Sequence, residues 1–219
     1  MHYKGIIFDL DGTLANTLED IAGSMNRILL AHGYPLHHVN DFKLLVGRGL
    51  DNLVKQALPP KAREPETIAV CLAEMIADYD IHCLVKTDLY EGIRELIHKL
   101  LANKIKLAVF SNKSEPLTLK IVGTLLSGVP FVKVAGARSD VPKKPDPTGA
   151  LLISRQMEVT PAKILYVGDS DVDMITATRA GMVAVGVSWG FRSREELIDN
   201  GAIRIVDKPE EIAGLIEAN

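Results

Sequence analysis

Gly5-Ile6-Ile7-Phe8-Asp9-Leu10-Asp11-Gly12-Thr13-Leu14 is the stretch on which the architecture of this 219-residue chain turns. Its first four residues carry no polar side chain and no alternation, the pattern of a central parallel strand covered on both faces. The run stops at two aspartates and a Gly-Thr pair. Taken alone, Asp-x-Asp-Gly-Thr is equally the composition of a turn.

Runs of the same kind recur at 106–110, 131–135, 164–167 and 183–187. Between them lie segments with helical spacing. In 91–102, Ile93, Leu96, Ile97, Leu100 and Leu101 make one apolar stripe; 115–126, 147–157 and 171–180 read as further helices, the last stopped by Gly181. Strand alternating with helix predicts an α/β fold, a doubly wound parallel sheet with a Rossmann-like core. Sites in such sheets form at the carboxyl ends of the strands.

From Leu14 to about Val85 the alternation lapses. Ile21, Met25, Ile28 and Leu29 form one stripe, Leu50, Leu53, Val54 and Leu58 a second, and Ile68, Cys71, Leu72, Met75, Ile76 and Tyr79 a third. The expectation is a small helical cap domain, 15–85, inserted after strand one into a catalytic core of 1–14 and 86–219, with both ends of the cap meeting at one sheet edge.

The bulk numbers restrict the function class. Hydrophobic residues make up 47% and charged residues 24%, ordinary for a soluble enzyme. A net charge of -3 argues against a nucleic-acid partner or an acidic membrane. Neither a signal h-region nor an apolar run of membrane-spanning length is present, so a cytoplasmic location is expected. Cys71 and Cys83 lie twelve apart without nearby ligand histidines, which fits buried thiols better than zinc or a disulfide.

Asp9 and Asp11, two apart beyond the first strand, suit two carboxylates with different duties at one phosphorus. A buried acid pair is costly unless compensated, and oxygen ligands at a phosphoryl site favour Mg²⁺. Three later segments stand at the ends of later strands: Ser111-Asn112-Lys113, Lys143-Lys144-Pro145-Asp146-Pro147, and Gly168-Asp169-Ser170-Asp171-Val172-Asp173. Lys113, Lys143 and Asp171 read as solvated surface charges, and Asp173 can serve as a helix first-turn acid.

The ordered set Asp9-Leu-Asp11-Gly-Thr-Leu14, Ser111-Asn-Lys, Lys144-Pro-x-Pro and Gly168-Asp169-x-x-x-Asp173 resembles the four motifs of the haloacid dehalogenase superfamily. The resemblance covers essentially the whole chain. It implies a phosphatase in which Asp9 attacks phosphorus and Asp11 acts as acid and then base. Mg²⁺ would be held by Asp9, the Asp11 backbone carbonyl and Asp169, with Asp173 orienting Asp169 or metal-bound water. Ser111 and Asn112 would bind phosphoryl oxygens, Thr13 would belong to the substrate site, and Lys144 would screen Asp9 from the phosphate it attacks. Asp11 disfavours a dehalogenase, since those members lack the second acid.

Val46-Gly47-Arg48-Gly49-Leu50, Leu53-Val54, Ala57-Leu58 and Gly186-Val187-Ser188-Trp189-Gly190-Phe191 are similar to segments of phosphoglycolate phosphatases. On that resemblance Arg48 would meet a small anionic leaving group, a solvated surface arginine being the competing reading. Asn16 stands where the family has Asp, and can still cap the first cap helix. The partner expected is a small phosphorylated metabolite, the chain a monomer or homodimer. Remaining readings are a β-phosphoglucomutase-like phosphoryl transferase, a pyrophosphatase or nucleotidase of the same superfamily, and a receiver-type phospho-acceptor module. A serine hydrolase built on Gly186-x-Ser188-x-Gly190 fails because no histidine follows His98.

Overall fold

The computed structural model describes residues 3–217. Strand β1 (Gly5–Phe8) leads into the two-residue β2 (Ala15–Asn16), helices α1 (Leu18–Ala31), α2 (Phe42–Leu45), α3 (Leu50–Ala57) and α4 (Pro65–His82), and then β3 (Asp88–Leu89). Strict alternation follows: α5 (Ile93–Ala102), β4 (Lys106–Ser114), α6 (Glu115–Leu125), β5 (Lys133–Ala137), α7 (Thr148–Met157), β6 (Ile164–Gly168), α8 (Asp171–Arg179), β7 (Val183–Val187), α9 (Arg194–Asp199), β8 (Arg204–Val206) and α10 (Pro209–Glu217).

Six strands form one parallel sheet in the order β5-β4-β1-β6-β7-β8. This is the doubly wound arrangement expected, and the strand order reverses between β1 and β6, where such sheets open a crevice. Side chains along β1 alternate between two cores. Ile6 and Phe8 join Leu107, Val109, Leu165 and Val167 on the face shared with α5 and α10, and Ile7 joins Ala108, Phe110 and Tyr166 on the face of α7 and α8. Burial on both faces, about 1.5–3 kcal/mol for each large side chain, explains the unbroken apolar run.

The elements that sequence reading did not find are short or polar. Strand β4 continues through Ser111, Asn112 and Lys113 to Ser114 with those side chains buried, because their partners are polar groups of the site. Strand β8, at the sheet edge, has three residues, and α9 has six.

Between β1 and β4 the four helices α1–α4 pack mainly on one another. The α1 stripe is buried as expected, but on α4 the innermost positions are Cys71, Met75 and Tyr79, at four-residue spacing, while Ile76 is 46% exposed. The helical insert returns to its starting point: β2 and β3 pair antiparallel, and Asp20 in the first turn of α1 accepts backbone N–H groups of Val85, Lys86 and Thr87 at 2.8–3.0 Å. Asn16 Oδ1 accepts from Leu18 N at 3.4 Å. Both cysteines are buried and unpaired. Among the described residues no helix is long and apolar enough to cross a membrane.

Candidate active site

The carboxyl ends of β1, β4 and β6 meet at the strand-order reversal and carry nearly all the polar residues singled out above. After Phe8 the chain turns at once: the N–H groups of Thr13, Leu14 and Ala15 converge on the Leu10 carbonyl. The turn and the site are therefore one structure. Gly12 has φ +84°, and a Cβ there would stand 2.2 Å from Asp169 Oδ2, so position 12 needs glycine both for its backbone and for the approach of β6.

Asp9, Asp169 and Asp173 each bring a carboxylate oxygen within 4.8 Å of the others. Lys144 Nζ stands 2.8 Å from Asp9 Oδ1 and 2.7 Å from Asp173 Oδ1. The Asp9 contact is an ion pair without hydrogen-bond alignment, which leaves that oxygen buried and lacking a donor. Burial, reinforced by the Asp173 charge, pushes the Asp9 carboxyl up to about 7 against the pull of Lys144. Asp169 is raised well above the usual carboxylate range by burial, then by Asp173 and Asp9, although Phe191 N donates to it at 2.7 Å.

These residues fit a divalent cation. Four buried carboxylates, those of Asp9, Asp11, Asp169 and Asp173, face the two buried ammonium groups of Lys113 and Lys144, an excess of two negative charges that an oxygen-seeking Mg²⁺ would neutralise. Asp173 is the least free of the acids. Its Oδ2 accepts from Ser170 Oγ at 2.6 Å in a capping box at the start of α8, while its Oδ1 holds Lys144. It is thus a first-turn acid and the anchor of the lysine together.

Other expected residues take positions that refine their roles. Thr13 donates to Asp169 Oδ1 at 3.3 Å, orienting a carboxylate. Ser111 is buried at the site, its Oγ accepting from Lys113 N. The Asn112 side chain is fully engaged: Nδ2 donates to the carbonyls of Gly47 and Lys144, and Oδ1 accepts from Lys144 N. It stitches β4 to the Lys144 loop and to the insert, leaving no side-chain donor for a phosphoryl oxygen. Arg48 pairs with Asp171 at 2.5 Å with its own side chain 53% exposed, and Lys143 pairs with Asp51 across the same seam. Asp171 is therefore not a free solvated charge.

Lys113 overturns the surface reading outright. Its side chain is 2% exposed, with Nζ 3.0 Å from Asp11 Oδ1 and 2.9 Å from Tyr79 Oη of α4. Thr17 Oγ1 donates to the same Asp11 oxygen at 2.6 Å. The apolar-run rule ends β4 at Phe110, whereas the strand continues to Ser114 through an irregularity between Phe110 and Ser114. The side chains of Thr17, Tyr79, Ser170 and Arg192 were missed as well. Arg192, beyond β7, donates to the carbonyls of Lys43, Leu44 and Val46, a guanidinium at the carboxyl end of α2.

Between insert and sheet a cavity of about 30 Å³ is lined by Asp9, Asp11, Ser111 and Lys113 below and by Ile21, Val46, Leu50 and Leu53 above.

Comparison with known proteins agrees with this geometry. The family model for haloacid dehalogenase-like hydrolases matches residues 6–187. A phosphoglycolate phosphatase from Rhodospirillum rubrum is 31% identical over 210 residues, 93% of this chain and 87% of that protein. Phosphoglycolate phosphatase 1 of Pseudomonas aeruginosa is 27% identical over 207 residues, 92% of this chain and 75% of its own. A crystal structure from Lactobacillus delbrueckii subsp. bulgaricus superposes with a TM-score of 0.93 at 30% identity, covering 99% of both chains.

Proposed function

The chain belongs to the haloacid dehalogenase-like hydrolases, and on that premise we propose that it is a Mg²⁺-dependent phosphatase of small phosphate monoesters that works through an aspartyl-phosphate. The observation that carries the reading is the convergence of Asp9, Asp11, Asp169 and Lys144, drawn from three separate segments, at one end of the sheet. Phosphoglycolate heads the candidate esters, in keeping with the phosphoglycolate phosphatases among its relatives. The insert faces the catalytic groups with the apolar side chains of Ile21, Val46, Leu50 and Leu53, which offer a sugar's hydroxyls no partners and favour hydrolysis over mutase chemistry.

Each residue has a task set by its surroundings. Asp9 attacks phosphorus in line, giving a covalent intermediate that divides one hard displacement into two easier ones. Asp11, held by Thr17 and Lys113 on the side of the insert, gives a proton to the departing alkoxide and later takes one from water. Lys144, fixed by Asp173, screens the Asp9 carboxylate from the incoming phosphate, and Ser111 donates to a phosphoryl oxygen. The Asp9 carboxylate, the Asp11 backbone carbonyl and Asp169 would hold a Mg²⁺ ion, which would supply positive charge between nucleophile and phosphoryl group. The insert, as a cap, excludes water while the ester is bound.

The test is steady-state turnover of p-nitrophenyl phosphate and of a panel of phosphorylated metabolites with and without Mg²⁺. Multiple turnovers that vanish in Asp9→Asn are expected, with phosphoglycolate leading the panel by kcat/KM. A single burst without turnover would instead mark a phospho-acceptor module. Turnover in which phosphoglycolate ranks with generic esters would remove the substrate assignment and leave the reaction class.

A further inference from the structure

We propose that Lys113, positioned by Tyr79 of α4, is the residue that recognises a carboxylate on the leaving group, in place of Arg48. The inference rests on the phosphatase reading above and concerns the specificity of that same site.

An ammonium has three N–H donors. Two of those on Lys113 are taken, by Asp11 Oδ1 at 3.0 Å and Tyr79 Oη at 2.9 Å. The third is uncommitted, and the side chain lines the small cavity between sheet and insert. No other cation lines that cavity among the described residues. Arg48 does not line it, and its guanidinium is turned to Asp171. The side of the site is also decided. Lys144 and Ser111 stand with Asp9 on the phosphoryl side, whereas Lys113 is bound to Asp11, the residue that serves the leaving oxygen. In a leaving group such as glycolate the carboxylate oxygens lie three bonds from that oxygen, on the Asp11 side of the site where the free donor stands.

The side chains that the insert contributes to the chamber are apolar. Ile21, Val46, Leu50 and Leu53 offer no hydrogen bonds from their side chains, so a polyhydroxylated leaving group would lose solvation without compensation. A two- or three-carbon acid presents little beyond its carboxylate, which the buried ammonium satisfies. Tyr79 holds the ammonium from two directions, through its hydroxyl and with its ring centroid 4.4 Å from Nζ. Because Tyr79 belongs to the insert and Lys113 to β4, this recognition is complete only with the insert seated.

The experiment measures kcat/KM for phosphoglycolate and for ethyl phosphate, its uncharged two-carbon counterpart, in the unaltered enzyme and three variants. The ratio of the two is read within each protein, so a general loss through Asp11 cancels. The unaltered enzyme is expected to prefer phosphoglycolate. Lys113→Met should lower the ratio about 10- to 100-fold, the range of a buried charge-assisted hydrogen bond. Tyr79→Phe, which removes only a hydroxyl and keeps the test open if Lys113→Met does not fold, should lower it a few-fold through KM. Arg48→Ala should leave it within about twofold.

A ratio unchanged in Lys113→Met or Tyr79→Phe, a fall confined to Arg48→Ala, or equal use of both esters by the unaltered enzyme would overturn the inference while the phosphatase reading stands. An unaltered enzyme that turns over neither these esters nor p-nitrophenyl phosphate overturns both.

Discussion

Beneath the cavity and above it, the site is held by different physics. On the sheet side Asp9, Lys144, Asp173 and Ser170 form a continuous chain of buried polar contacts, none of the four more than 5% exposed. On the insert side Arg48 meets Asp171 and Lys143 meets Asp51 with side chains between 15% and 56% exposed. Removing one member of a buried charge network costs about 3–5 kcal/mol, whereas an exposed pair contributes about 0–1 kcal/mol. The chemical groups are thus fixed before any substrate arrives, whereas the seam to the insert mixes exposed ion pairs with a few buried contacts, those of Lys113 with Tyr79 and of Asn112 with the Gly47 carbonyl. The small cavity between sheet and insert, about 30 Å³, would open to an ester by movement at this seam.

The contrast breaks most visibly at Lys144. Lys144→Met leaves Asp9 and Asp173 without their shared cation; a loss of kcat of about 10³-fold and a clear drop in Tm are expected, by kinetics and thermal denaturation. A kcat within tenfold of the unaltered enzyme would mean that the chain of buried charges is not what prepares Asp9.

A middle-sized effect tests the same end through metal and pH. Asp9, pushed up to about 7 chiefly by burial, binds its proton more tightly folded than unfolded, where its value is 3.8. For a raised acid the folded state binds more protons, so in metal-free protein this group's contribution to stability falls as pH rises from about 4 to about 7. Mg²⁺ takes the proton's place. The gain in Tm on adding Mg²⁺ should therefore be larger at pH 8 than at pH 5.5, and equal gains would argue against a cation among these carboxylates.

The smallest effect sharpens the comparison from above. Arg192→Ala removes a guanidinium from the carbonyls at the end of α2, and should raise KM a few-fold and speed proteolysis within 33–50 while kcat changes by less than about threefold. A collapse of kcat would show that the insert is part of the chemical machinery and not only its cover.

What sequence reading found and missed follows the same division. The sheet declares itself because a strand buried on both faces must be apolar without alternation, as 5–8 and 164–167 are. Asp9, Asp11 and Asp169 follow at strand ends, where side chains must gather, and Lys144 comes in the loop between β5 and α7. The contacts between sheet and insert depend on tertiary approach, which no local pattern encodes. Lys113 has the composition of a surface residue and becomes a buried one only because Tyr79, far away in the chain, closes over it. Asn112 has the type of a phosphate ligand, yet the Lys144 loop takes its amide. Arg48 sits in the expected loop but meets Asp171.

The claim that Asp9 carries the phosphoryl group is tested most directly by trapping it. Enzyme quenched in acid during turnover with Mg²⁺ and phosphoglycolate, then reduced with borohydride, converts an aspartyl-phosphate to homoserine that peptide mass spectrometry can place. Homoserine at position 9 alone, absent without Mg²⁺, is the predicted result; sustained turnover with position 9 unmodified, or with the label at another residue, would contradict it.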